Sequence, residues 1–143
     1  MRYALVFLLL ATAPAAAWEF TPRPVCTLSD DSKGSRVVVT HDPRLREPYE
    51  ITVTGTTPWP AAPVFSMRFE GPRGLVISTE RHRLSDSGHT LSVTDTGFGN
   101  VLNGLEFNDM ATALAGDLAV SFPLAGAGPE VRALRACIAA PAA

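Results

Sequence analysis

Apolar and polar residues alternate along this chain in one short run after another, and a period of two confines the backbone to strands with one buried face. Tyr49, Ile51 and Val53 fall on one side of an extended segment, with Glu50, Thr52 and Thr54 on the other. Phe65, Met67 and Phe69 alternate with Ser66, Arg68 and Glu70 in the same way. The pattern returns at Leu75 and Ile77, and again at Leu91 and Val93 among Thr90, Ser92 and Thr94. Leu118, Val120, Phe122 and Leu124 make the longest apolar file, while residues 36–41 and 110–115 supply further strands. About seven or eight strands at this close spacing predict an all-β fold, an antiparallel sandwich or barrel.

Turn chemistry falls between these runs. Residues 71–74 begin and end in glycine around Pro72, residues 85–88 are a polar hairpin tip, and Gly116 with Asp117 makes a tight reversal. Consecutive antiparallel hairpins are the topology this implies. Residues 58–63 are the one conspicuous irregular loop, with Trp59 between two prolines. Near the C-terminus the period changes. Pro129 suits a first helical turn, and Val131, Leu134 and Ile138 then share one face, which predicts a short C-terminal helix.

The N-terminal segment is of another kind. Arg2 precedes an apolar run over 3–13, and Ala15 and Ala17 form a small-x-small site, the pattern of an export signal cleaved before Trp18. The expected organisation is a signal peptide at 1–17 and one β-rich domain at 18–143, in the periplasm or secreted. The run falls short of the ~20 residues that span a bilayer, so the mature chain is expected to have no transmembrane span. Only Cys26 and Cys137 are present, near the two ends of that chain. In an oxidising compartment they predict a disulfide joining its ends.

Chemistry-bearing motifs are few. Twelve basic residues against 14 acidic ones give a formal net charge of −2, without the clustered cations that nucleic-acid binding requires. Lys33 is the only lysine and no phosphate-binding loop is present, so no nucleotide cofactor is expected. Gly97, Phe98 and Gly99 read as a turn. His41, His82 and His89 lack ligand spacing, and no metal is expected. A strand ending in Asp95, Thr96 and Gly97 is how aspartic proteases present a catalytic carboxylate, which makes Asp95 the one catalytic candidate. A single copy would have to dimerise, and Phe98 stands where that family has a small residue. Trp59, held between prolines, is a candidate recognition anchor or else a lid over one end of the core. Arg68, Arg73, Arg81 and Arg83 lie around consecutive strands and offer a basic patch for an anionic partner or a solvated face.

Residues 120–137, with Phe122, Leu124 and Gly126 followed by a helix through Val131 and Leu134 to Cys137, resemble the close of small exported proteins of alphaproteobacteria. The segment also resembles the invasion-associated locus B family. The resemblance implies a secreted or periplasmic β-rich protein without established catalysis, and it transfers no functional residue. The expected function is a noncatalytic envelope accessory or binding protein whose partner is an envelope protein or a small ligand. The alternatives are a dimeric aspartic-type hydrolase using Asp95 and an inhibitor of a secreted enzyme.

Overall fold

The computed structural model describes residues 17–32 and 34–140. The expected export signal, apart from Ala17, lies outside them, as do Lys33 and residues 141–143. Ten strands and two helices follow in the order β1 (Trp18–Thr21), β2 (Cys26–Ser32), β3 (Ser35–His41), β4 (Tyr49–Thr54), β5 (Phe65–Glu70), β6 (Leu75–Thr79), β7 (Arg83–Ser85), β8 (Thr90–Asp95), α1 (Gly99–Phe107), β9 (Met110–Ala115), β10 (Leu118–Pro123) and α2 (Ala127–Ala139). Two antiparallel sheets form, one of six strands ordered β1-β2-β3-β4-β8-β7 and one of four ordered β10-β9-β5-β6. The layout is that of a sandwich. The topology is not a run of consecutive hairpins, because the chain changes sheet after β4, β6 and β8.

Register explains the core. In the six-stranded sheet, Leu28, Val39, Ile51 and Val93 stand in one inward row. Trp18, Asp30, Val37, Val53 and Leu91 stand in the next. In the four-stranded sheet, Ala111 lies between Phe122 and Phe69, and Ala113 between Val120 and Met67. A small residue in the middle strand lets its large neighbours meet above it, which is why a strand of modest β propensity occupies the centre. Phe69 and Phe122 are among the largest fully buried side chains, each worth roughly 1.5–3 kcal/mol of hydrophobic transfer.

The helices lie at the end of the sandwich where β8 and β10 finish. Gly126, at φ 82°, starts α2, and Ala127, Val131 and Leu134 are buried, as their spacing predicts. Cys137 then reaches Cys26 at the start of β2 in a disulfide with Cα atoms 6.0 Å apart. Glu130 of α2 accepts a hydrogen bond from the Phe20 amide at 3.1 Å, so this helix also holds β1. Glu106 of α1 ties the two helices together by accepting from Arg135 at 2.9 Å.

Residues 97–99, expected as a turn, instead lead directly into α1. Val101, Leu102 and Leu105 are buried at i, i+1 and i+4, and that burial is what sustains a helix too short to persist alone. Asn108 ends it. Its side-chain amide donates to the Gly104 and Arg73 carbonyls at 3.0 and 2.9 Å, while its oxygen accepts from the Arg73 amide at 3.0 Å. One residue thus caps α1 and clasps the β5–β6 turn. Gly71 in that turn has φ 151°, and a Cβ on it would come within 2.8 Å of the Asn108 backbone.

Candidate functional site

On the flank where β6 faces β8, the two sheets leave a cavity of about 500 Å³. The sheets differ by two strands, so the narrower one leaves part of its neighbour's inner face uncovered there. The depth of the cavity is apolar: Ile51 and Val93 form one wall, Met67 and Ile77 the other, and Phe98 with Val101 of α1 the end. Its mouth is polar. Arg81, in the β6–β7 connection, reaches across to place Nη2 3.2 Å from Asp95 Oδ2 and Nη1 3.5 Å from Glu47 Oε2. The guanidinium also donates to the Thr94 carbonyl at 3.4 Å, and Arg83 donates to the Thr94 hydroxyl at 3.2 Å. These arginines cover the half of β8 that β7 is too short to pair.

Asp95 lies at this mouth with its side chain 45% exposed. Its Oδ1 accepts from the Thr96 amide at 2.7 Å, a local turn bond. The other carboxylate held by the same guanidinium is Glu47. A guanidinium therefore lies between these two acids of the same chain. Phe98 is buried and packs on Tyr49 with ring centroids 5.3 Å apart, so the residue after the Asp-Thr-Gly turn builds the core and the cavity end.

Trp59 is 3% exposed, which corrects its role as a surface recognition anchor. Its indole donates to the Val53 carbonyl at 3.0 Å, its amide donates to the Gly88 carbonyl at 2.7 Å, and its ring meets Phe65 edge-on. It is the lid over the end of the sandwich opposite the helices. The prolines around it set the entry of the chain rather than project the ring outward, since a large ring gains more from burial than from exposure.

The histidines are separate and structural in their contacts. His82 bonds through Nε2 to the Ala62 carbonyl at 2.9 Å, His89 through Nδ1 to the Asp86 carbonyl at 3.1 Å, and His41 packs on Tyr49. Among the described residues no three His, Cys, Asp or Glu side chains converge to hold a metal. No helix among them is long and apolar enough to cross a membrane. The four arginines of the expected patch divide: Arg68 pairs with Glu70, Arg81 and Arg83 border the cavity mouth, and Arg73 stands over the Phe107 ring at 4.1 Å.

A second place of chemical interest is Asp30, 1% exposed in the middle of an apolar row. Its Oδ2 accepts from the Ser32 hydroxyl at 2.8 Å, and its Oδ1 has no hydrogen-bond partner among the described residues. Burial raises its pKa above the ordinary aspartate value, against the lowering effect of Ser32. It does not border the cavity.

Sequence patterns missed the cavity because its parts lie on five elements and in two connections. Arg81 stands out only as one of several arginines, and Glu47, beside Arg46 in a loop, carries no local signal; nothing in the sequence joins them. The one available clue was the apolar spacing of Val101, Leu102 and Leu105 directly after Gly99, which marks a helix start and so a wall at that point. Comparison of the chain with protein-family models, curated proteins and solved structures yields no match.

Proposed function

We propose that this chain is an exported, noncatalytic binding protein of the cell envelope, and that the cavity between its two sheets is its ligand site. The observation that carries this reading is the cavity itself, an apolar recess between the sheets with a few convergent polar groups at its mouth. Such recesses are where ligands bind, because apolar walls supply affinity and a few placed polar groups supply orientation. Export rests on the N-terminal pattern of Arg2, the apolar run and Ala15 with Ala17. The Cys26–Cys137 disulfide favours an oxidising compartment. The first strand among the described residues begins at Trp18, directly after the expected cleavage point. The dimeric hydrolase reading is less favoured because the Asp95 carboxylate is held by Arg81 rather than free to share a proton with that of a second copy.

Native mass spectrometry of the protein recovered from the envelope or medium tests both halves. The expected species begins at Trp18, retains the disulfide and carries a bound mass. Gly99 lines the cavity, and a Cβ on it would meet nothing within 4 Å, so Gly99→Phe should fill the space without disturbing the packing and should release the bound mass. Retention of Met1 would overturn export. An unliganded mass, together with equal binding of the apolar dye 1-anilinonaphthalene-8-sulfonate by wild type and Gly99→Phe, would overturn the cavity as a ligand site.

A further inference from the structure

Each sheet has two outer strands, and the four edges are not alike. β1 has four residues, runs into Pro22 and Pro24, and has its Phe20 amide taken by Glu130. β7 has three residues and begins with Arg83. β10 ends at Pro123, whose carbonyl accepts the Trp18 indole at 2.9 Å. Short length, charge, proline and covering side chains are the usual devices that stop an edge from pairing with another chain. β6 has none of them. Its five residues, Leu75, Val76, Ile77, Ser78 and Thr79, carry no charge and no proline, and among the described residues nothing pairs with the side turned away from β5.

The cavity lies along that same side. Ile77, Ser78 and Thr79 all line it, although successive strand residues point to opposite faces. A cavity touching three in a row touches the strand's edge as well as its inner face. The cavity thus lies between the sheets and opens along the free side of β6, where the wider sheet continues through β8 to β7.

We propose that β6 accepts an extended segment of another protein as a fifth strand of the four-stranded sheet, with one apolar side chain of that segment entering the cavity. This rests on the reading of the cavity as a ligand site and names its occupant as a peptide. Main-chain hydrogen bonds to the free edge supply affinity, and the cavity selects the inward side chain. Charge sets one flank. Arg73 before β6 has no carboxylate partner among the described residues, whereas Arg81 after it is already held by Asp95 and Glu47, so the fitting segment is uncharged in its middle and acidic at the end that meets Arg73. A second copy of this chain offers no free acid to Arg73: two β6 strands paired antiparallel about Ile77 would set it opposite Arg81, whose partners Asp95 and Glu47 are already engaged.

The probes are acetylated, amidated heptapeptides Asp-Val-Thr-X-Thr-Val-Asp, with X as Ala, Val, Leu or Phe, added to the intact oxidised protein. Hydrogen exchange at 75–79 should slow on binding, and affinity should depend on X. Val76 is 61% exposed, so Val76→Lys keeps the fold while putting a charge on the edge; it should weaken binding about tenfold or more. Gly99→Phe should remove the dependence on X. Binding without slower exchange at 75–79, or unchanged by Val76→Lys, would overturn strand addition. If none of the peptides binds while the apolar dye still enters wild type and not Gly99→Phe, strand addition falls and the cavity reading stands. If neither the peptides nor the dye binds, both fall.

Discussion

Replacing Gly104 with alanine sets two effects of known size against each other. Gly104 lies in α1 with its Cα against the Phe69 ring, and a Cβ there would stand 2.5 Å from Cδ2 and Cε2 and 2.6 Å from Cγ. Carbon atoms rest about 3.5–4.0 Å apart, so the ring or the helix would have to yield by roughly 1 Å. Neither is free to do so. Phe69 is 2% exposed, in a row between Ala111 and Leu75, while Asn108 holds the end of α1 to the β5–β6 turn. Alanine favours a helix over glycine by about 0.8–1.0 kcal/mol. Overpacking a filled core costs about 1–3 kcal/mol, and contact with three ring carbons belongs in the upper part of that range. The net loss is therefore about 1–2 kcal/mol, a fall in Tm on the order of 4–10 °C for a domain of this size. Urea and thermal unfolding of the oxidised protein, followed by tryptophan fluorescence, measure it. Phe69→Leu supplies the internal control. It makes room beside Gly104, so the double variant should be more stable than the sum of the single losses by about 1 kcal/mol. A neutral or stabilising Gly104→Ala, or strict additivity in the double variant, would refute the close packing of α1 on β5.

Three further expectations follow from the same contacts. The disulfide spans 111 residues in sequence, and the chain-entropy model assigns such a loop roughly 4–5 kcal/mol; a Cys26→Ala, Cys137→Ala variant should lower the urea midpoint accordingly and speed hydrogen exchange in α2, whereas a loss below about 1 kcal/mol would show that the clasp constrains little. Trp59→Phe keeps a ring in the lid but removes the donor to the Val53 carbonyl; it should cost about 1–3 kcal/mol and leave peptide binding at β6 unchanged, and a selective loss of binding would return Trp59 to the recognition surface. For Asp30 the folded pKa lies above the unfolded one, so its contribution is most favourable below the unfolded value and is lost as pH rises through the folded value. The difference in urea midpoint between Asp30→Asn and wild type should accordingly grow in favour of the variant from pH 3 to pH 8, and a flat or opposite trend would contradict the burial of a charge there.

Much of the fold was legible wherever a strand has one apolar face of three residues. β4 and β5 announce themselves because their inward positions all carry hydrophobic side chains, and β8 does so through Leu91 and Val93 before the same face ends at Asp95. β2 does not, since Asp30 occupies an inward position beside Leu28, and β7 does not, since all three of its residues are exposed. β1 offers only Trp18 and Phe20, too short a run to separate from a loop. The C-terminal helix was visible through the spacing of Val131 and Leu134, but α1 was hidden behind two glycines that suggested a turn. Of the candidate site, Asp95 was named from its local motif and Arg81 as one of four arginines, but nothing in the sequence pairs the two, since their contact joins the β6–β7 connection to the end of β8.

The order of residues alone determined that this chain builds antiparallel sheets, ends in a helix and has two cysteines available to join its ends. Those properties follow from local period and composition, which each segment carries by itself. Which side of Trp59 meets solvent, which edge stays open and where the sheets fail to cover one another were decided only in three dimensions. They depend on the register of strands far apart in sequence and on a difference of two strands between the sheets. The cavity beside β6 is a product of that difference, and no single segment encodes it.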